Sequence, residues 1–389
     1  VELVNDDVEL VNDDVGIARD AGVDGADIAA RSELEPRFSA HDVARELRFA
    51  RRWLLVIYAL ILGMVALGGV TRLTGSGLSM VAWEPTRVLP PLSDAEWADE
   101  LARYRASPQG RETNAWMELH DFQRIFVWEY AHRLAGRLLG VVAFVPLLAL
   151  TWRRRLPRGK LVAGWALLAL GGLQGALGWW MVKSGLVDRP EVDHFRLAAH
   201  LTLAFFVAHV ALFLAIRWGS NTEAPPSPSP GLRVTTWFAL ASVSAQVVWG
   251  AFVAGKRAGL AAPTFPDFFG RYAPTAVLGD APRWLEDPLA LHYVHRVIAL
   301  ALVAIAIALV AQTWSTPRLR RSALGVLTAM LVQIGIGAWV VLAYVPTGAA
   351  VLHQVVGFGV VSHLVAFATR AGVLGRLVAR GPATSSVRT

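Results

Sequence analysis

Long apolar runs separated by short polar stretches fill most of this chain. Eight of them, at about 53–70, 125–152, 161–182, 197–216, 234–254, 291–312, 323–345 and 349–369, approach or exceed the roughly 20 residues an α-helix needs to cross a bilayer. The pattern predicts an all-α polytopic membrane protein with eight transmembrane helices, its main partner being the lipid bilayer itself. A Pro/Ser-rich segment at 221–230 cuts the runs into two sets of four. The expected organisation is a largely disordered tail (1–50), a first four-helix half (51–219), a linker (220–232), a second four-helix half (233–370) and a C-terminal tail (371–389).

Charge adds orientation. Arg48, Arg51 and Arg52 precede the first run, and Arg153, Arg154, Arg155, Arg158 and Lys160 fill the turn between the second and third. Arg318, Arg320 and Arg321 separate the sixth and seventh, and Arg370, Arg376, Arg380 and Arg388 follow the eighth. The alternate loops (71–124, 183–196 and 255–290) mix acids and bases in near balance. Basic residues gather on the cytoplasmic side, so both termini are expected there. The net charge of +7 then reflects topology, not nucleic-acid binding. An Ala/Arg-rich composition without a transit peptide points to a bacterial inner membrane. Residues 1–40 repeat Val-Glu-Leu-Val-Asn-Asp-Asp at 1–7 and 8–14, lack the features of a signal peptide, and read as a mobile cytoplasmic tail. There is no cysteine. Disulfides, thiolate metal sites and c-type haem attachment are thereby excluded, and any ligation falls to His, Met, Tyr or carboxylate.

The two sets of four resemble each other. Gly77-Leu78 answers to Gly259-Leu260, and Tyr130-Ala-His-Arg133 to Tyr293-Val-His-Arg296. Gln174-Gly-Ala-Leu-Gly-Trp-Trp180 answers to Gln333-Ile-Gly-Ile-Gly-Ala-Trp339, and His200 to His353. Four spans is an even number, so the copies share one orientation and are expected as two parallel bundles about a pseudo-twofold axis along the membrane normal. Gly75 and Gly77 permit a tight turn where the chain leaves the first span. A nucleotide phosphate loop is excluded there, because no strand precedes the glycines and the lysine is missing. Residues 80–85 read as an interfacial segment in an otherwise irregular outer loop.

Candidate chemistry concentrates at the head of the second and sixth runs. Glu129, His132, Arg133 and Arg137 lie together on one apolar helix, with Glu129 and His132 three apart and so on one face. In the sixth run His292 stands where Glu129 stood and His295 where His132 stood. His132, His200, His295 and His353 lie about 4–8 residues into their runs, roughly 6–12 Å below the outer boundary at 1.5 Å per residue. Two imidazoles facing each other in a four-helix bundle suit the axial positions of a haem iron. Three readings stand for the quartet: two haem pairs, a zinc site, or hydrogen-bonded core residues. Four ionisable residues at matched depth in duplicated contexts favour the first. Zinc would want three gathered ligands. All four lie in one layer, which argues against an electron relay across the membrane. Glu129 is either an acid–base group or a buried partner of Arg133 or Arg137. Arg133 and Arg296 either pair with haem propionates or snorkel to the interface.

With these residues in view, the chain resembles the haem A synthase family. The likeness rests on Phe122-Gln-Arg-Ile-Phe-Val-Trp-Glu-Tyr-Ala-His-Arg-Leu-Ala-Gly136, Gly69-Val-Thr-Arg-Leu-Thr-Gly-Ser-Gly-Leu-Ser79 and Leu291-His-Tyr-Val-His-Arg296, and runs from about Arg51 to Arg370. It implies an oxidoreductase that converts the C8 methyl of haem O to the formyl of haem A for cytochrome oxidase. It further implies a haem b held by His295 and His353, substrate haem at His132 and His200, and Glu129 as the catalytic carboxylate. A haem O synthase is the implied partner, an external electron acceptor is required, and a homo-oligomer is compatible with the reading. Lacking cysteine, the chain is similar to the family's cysteine-free branch of proteobacteria and mitochondria. A quinol-linked membrane cytochrome b and a small-molecule transporter are the competing functions. Neither accounts for the exchange of Glu129 for His292.

Overall fold

The computed structural model describes residues 39–82, 88–187, 189–219, 227–273 and 284–374. The two tails, residues 220–226 of the linker and 83–85 of the expected interfacial segment lie outside the described residues. Among the described residues there are helices and turns but no strand. Among the described residues, eight helices are long and apolar enough to cross a membrane. In order they are α1 (Ala40–Leu73), α4 (Leu119–Arg153), α5 (Arg158–Ser184), α6 (His194–Gly219), α7 (Pro230–Gly255), α8 (Pro288–Gln312), α9 (Pro317–Leu342) and α10 (Thr347–Arg370). Each contains the apolar run that predicts it or all but a few end residues of it. Several run further, because a helix continues past the hydrocarbon while its side chains turn polar. Residues 39–46 open α1, with Ser39 Oγ accepting the Asp42 N–H at 3.1 Å.

In the first set, Trp53, Leu54, Ile57 and Ile61 of α1 pack with Leu147 and Leu150 of α4, Leu167 of α5 and Phe205 and Ala208 of α6. The Trp53 indole donates to the Val142 carbonyl at 3.0 Å. In the second set, Val243 of α7, Leu302 and Leu309 of α8, Val326 and Met330 of α9 and Leu364 and Phe367 of α10 form the equivalent core. The two sets meet where α6 packs on α7 and α10. Gln354 of α10 donates to the Val65 carbonyl of α1 at 3.0 Å across this seam. Lipid tails are as apolar as leucine, so close packing and such hydrogen bonds, not water exclusion, hold helices together at this depth. Helices α4 and α5 are peripheral: 11% of the central window of each is buried, against 39% for α6.

Among the described residues, the loop after α1 has helices of its own. It holds α2 (Asp94–Arg105) and the short α3 (Pro108–Glu112), capped by Ser93 Oγ on the Glu96 N–H and Ser107 Oγ on the Gly110 N–H. Ser-Asp-Ala-Glu at 93–96 and Ser-Pro at 107–108 are recognisable helix starts. Leu101 and Tyr104 of α2 pack on Phe122 and Phe126, with the Tyr104 and Phe122 rings 5.1 Å apart. This packing carries α4 outward to Leu119, six residues beyond the start of its apolar run.

Candidate functional site

The four histidines rest on glycines. A methyl placed on Gly68 of α1 would stand 3.1 Å from His132 Nε2, and one on Gly178 of α5 3.0 Å from His200 Cε1. In the second set, Gly250 of α7 meets His295 Cε1 at 3.2 Å and Gly337 of α9 meets His353 Cε1 at 2.9 Å. Each imidazole thus lies close against a neighbouring helix at a glycine, where an added methyl would crowd the ring. In each set the first helix seats the histidine of the second, and the third seats that of the fourth. His200, His295 and His353 lie 6, 7 and 6 residues after the first residue of their helices. His132 lies 13 after, because α2 extends α4 outward.

The ring centres of His295 and His353 are 6.4 Å apart. Two imidazoles bound to opposite sides of one metal at about 2.0 Å per bond have ring centres roughly 6 Å apart, so this pair fits an axially ligated haem iron. His132 and His200 are seated by Gly68 and Gly178, the counterparts of Gly250 and Gly337. Among the described residues no group of three or more His, Cys, Asp or Glu could hold a metal ion, which is the arrangement a zinc site would need. His209 is buried and bonded to the Phe205 carbonyl at 2.6 Å, and His363 to that of Gly359 at 2.9 Å.

Three half-buried glutamines reach the same rings. Gln333 Nε2 lies 3.2 Å from His353 Nε2 and donates to the His353 carbonyl at 2.9 Å. Gln174 Nε2 lies 3.1 Å from His200 Nδ1 and 3.3 Å from Nε2, and donates to the His200 carbonyl at 3.0 Å. Gln246 Nε2 lies 3.3 Å from His295 Nε2. The sequence repeat marks Gln174 and Gln333 as equivalent but assigns them no role, and it passes over Gln246.

Glu129 is buried and its two oxygens accept four hydrogen bonds. Ser79 Oγ (2.8 Å) and the Met80 N–H (2.7 Å) reach Oε2, while Arg133 Nε (3.0 Å) and Nη2 (2.5 Å) reach Oε1. Of the two arginines considered from sequence, its partner is Arg133. The rest of that guanidinium binds the outer loop at the Met80 and Ala82 carbonyls, at 2.7 and 3.2 Å. Arg296 does the same in the second set, donating to the Thr264 (2.7 Å), Asp267 (2.9 Å) and Ala262 (3.1 Å) carbonyls. Its Nε meets His292 Nε2 at 3.2 Å. Both arginines therefore bind loop backbone in this structure, a partner that neither sequence-based reading of them supplies. Beside them, burial raises the Tyr104 phenol above its usual pKa; an Asn114 hydrogen bond opposes this and the negative Glu129 adds to it.

Comparison with known proteins follows the same outline. Residues 51–365 match the COX15-CtaA family model, described as cytochrome oxidase assembly protein. A heme A synthase of Rhodospirillum centenum is 41% identical over 311 residues, covering 78% of this chain and 83% of that protein. One from Bradyrhizobium sp. (strain ORS 278) is 41% identical over 330 residues, covering 80% and 88%. One from Sphingopyxis alaskensis is 38% identical over 333 residues, covering 84% and 92%. With a matching model over most of its length and relatives this similar, the chain belongs to the COX15-CtaA family of cytochrome oxidase assembly proteins.

Proposed function

We propose that this chain is a haem A synthase, a membrane oxidoreductase that acts on haem O and converts its C8 methyl to the formyl group of haem A for cytochrome oxidase. The names of its relatives support substrate and product. The observation that carries the assignment of sites is the single carboxylate in an otherwise repeated frame, Glu129 against His292. In this reading the chain divides at 220–232 into two pseudo-twofold-related bundles. His132 and His200 receive the iron of the substrate, and His295 and His353 hold a resident haem b. That group, when bound, supplies one-electron transfer.

Methyl to formyl is a four-electron oxidation: two successive hydroxylations take their oxygen from water, the resulting diol loses one water, and four electrons pass to an acceptor outside the chain while four protons are released. The protons released need a base, and positive charge developing beside the macrocycle needs an anion. Glu129 answers both needs. Ser79, the Met80 N–H and Arg133 orient its carboxylate before any substrate arrives, and taking up a proton requires one of these hydrogen bonds to open. Arg133 and Arg296 fasten the loops beside their sites through backbone carbonyls, and they are the cations that would pair with haem propionates. We further propose that the chain sits in a bacterial inner membrane with both termini cytoplasmic, receiving haem O from a haem O synthase. The clustered arginines between alternate spans support that orientation.

A quinol-linked cytochrome would need no carboxylate in one half alone. Haem extraction and chromatography of the purified protein separates the two. Haem O or haem A beside haem b is expected. Haem b alone, with no haem A formed when haem O is supplied, would refute the synthase reading.

A further inference from the structure

The turn between α4 and α5 is built differently from its counterpart between α8 and α9. Arg154, the first residue after α4, holds a left-handed conformation at φ 52° and ψ 23°, where glycine is at home and a side chain is crowded. The turn at 313–316 reverses the chain with no left-handed residue. The arginines beyond it find partners in their own set. Arg320 lies over the Trp314 ring at 5.0 Å and donates to the Trp314 carbonyl at 3.4 Å. Arg321 donates to the Pro317 carbonyl at 3.4 Å, and Arg370 to Ser322 Oγ at 3.3 Å. Arg154 and Arg158 are exposed, and among the described residues neither has a hydrogen-bond or ion-pair partner. No carboxylate of their own hairpin can neutralise them, because residues 130–187 contain no Asp or Glu.

These two arginines line a cavity of about 640 Å³ together with Thr151, Leu156 and Leu161. It lies at the basic end of the first set, where headgroups meet hydrocarbon. Trp152 stands exposed there, as suits an indole at a membrane interface. Trp165 Nε1 donates to Thr151 Oγ1 at 3.0 Å and so joins α5 to α4 beside the cavity. One to two turns deeper, Phe144 of α4 and Trp165 of α5 meet edge to face with ring centres 6.1 Å apart, and both are exposed. The site therefore offers two unpaired cations at its mouth and an apolar wall below them. Inorganic phosphate would use only the first feature. A lipid with a phosphate headgroup would use both.

We infer that this cavity binds the headgroup of an anionic phospholipid, with the acyl chains against Phe144 and Trp165, and that the lipid staples α4 to α5. Guanidinium is the cation that matches phosphate geometry, through its paired N–H donors. Basic pockets between spans are where such headgroups are held. The conformation of Arg154 then has a reason. Glycine would relax the turn, but it would remove a cation from the mouth of the cavity. The staple also has a use, because α4 and α5 are the two least buried spans. Between them they carry Glu129, His132, Gln174 and Gly178. A lipid that binds only the paired helices stabilises the pairing.

The test titrates the full-length protein in detergent with tetraoleoyl cardiolipin, dioleoyl phosphatidylglycerol, dioleoyl phosphatidylcholine and inorganic phosphate. Native mass spectrometry reads bound lipid, and thermal unfolding reads stability. An anionic lipid should be retained and raise the melting midpoint, while phosphatidylcholine and inorganic phosphate do neither. One arginine beside an anionic lipid is worth about fivefold in affinity. Arg154→Ala combined with Arg158→Ala should therefore weaken binding by roughly 30-fold. Arg318→Ala combined with Arg320→Ala removes the same charge from the second set and should leave binding near the wild-type value. Arg154→Gly separates binding from folding. It takes away one cation and relieves the left-handed residue, so it should bind lipid about fivefold more weakly and unfold no earlier than the wild type without lipid. Where the double variant does not accumulate, Arg154→Gly decides alone. Wild-type affinity in either would overturn the inference. An equal loss in the second-set variant would also overturn it, since net charge would then suffice. Equal retention of phosphatidylcholine, or displacement of the lipid by inorganic phosphate at equal concentration, would do the same.

Discussion

Arg133 and Arg296 occupy matching places in the two four-helix sets, yet the loops they hold have little in common. The first loop carries two helices packed on an aromatic cluster around Phe122 and Phe126. The second is irregular around Phe265–Asp267, with Arg296 lying over the Phe268 ring at 4.1 Å. In both, a guanidinium four residues below a Glu or His gathers backbone carbonyls and fastens the loop to the helix. What differs is the neighbour. Glu129 gives Arg133 an anion and draws in Ser79 and the Met80 N–H. His292 gives Arg296 a single ring nitrogen. The comparison teaches that an arginine holds its loop beside either residue, so the carboxylate is not required for that contact.

The largest effect should come from making the halves alike. Glu129→His copies the His292–Arg296 arrangement into the first set and keeps an acceptor for Arg133. Haem A formation should fall by a factor on the order of 10² or more, the scale of losing an acid–base group. Haem b content should stay at the wild-type level. Haem chromatography reads both, and a variant that still makes haem A at the wild-type rate would remove Glu129 from the mechanism.

The two arginines sharpen the comparison through stability. Arg133→Ala strands a buried carboxylate, which costs about 3–5 kcal/mol. Arg296→Ala strands loop carbonyls and a neutral ring, nearer about 1–3 kcal/mol. Thermal unfolding in detergent should rank Arg133→Ala well below Arg296→Ala. Equal losses would mean that the carboxylate adds nothing to the clamp.

Much of this was legible in the sequence, for physical reasons. Eight spans follow from apolar length alone, because a bilayer forces helices. The histidine quartet and the Glu129/His292 exchange stand out because ionisable residues are rare in such runs. The apolar pattern does not reveal the loop helices, whose only signals are the cap residues at 93–96 and 107–108, and the arginine contacts were not legible at all. Arg133 finds Met80 and Ala82 about 50 positions back along the chain, a pairing set by how the loop folds and not by any local pattern. Gln246 was hidden for another reason. Its partner in the repeat is a methionine, so matching the halves discards the position where they differ.

Glycine substitutions test the frame itself. Gly337→Ala brings a methyl to 2.9 Å from His353, while Gly250→Ala brings one to 3.2 Å from His295. The first must displace the ring, and the second needs a shift of a few tenths of an ångström. Haem b affinity should fall by about tenfold in Gly337→Ala and by less in Gly250→Ala, as read by haem-to-protein ratio after gel filtration. The reverse order would show that the rings move freely, and that the glycines seat nothing.

The smallest effect lies at the seam between the two sets. Tyr58 OH of α1 is 2.6 Å from Ser362 Oγ of α10, which lies 3.1 Å from His209 Nε2 of α6 and 2.8 Å from the Phe358 carbonyl. The Phe205 carbonyl, which only accepts, is 2.6 Å from His209 Nδ1. The ring proton therefore sits on Nδ1, and the single Ser362 proton is shared between the Phe358 carbonyl and His209 Nε2 while Ser362 accepts from Tyr58. Tyr58→Phe removes one donor and leaves the rest of the chain bonded, and should cost about 0.6 kcal/mol, the usual worth of such a bond in a membrane. Ser362→Ala leaves both the tyrosine and the histidine without their shared partner and should cost about 1–3 kcal/mol. Adding Tyr58→Phe to Ser362→Ala should then cost nothing more. Thermal unfolding of the two single variants and the double variant completes the cycle. Strict additivity would show that no hydrogen-bonded chain joins the halves here, and that packing alone keeps the two sites in register.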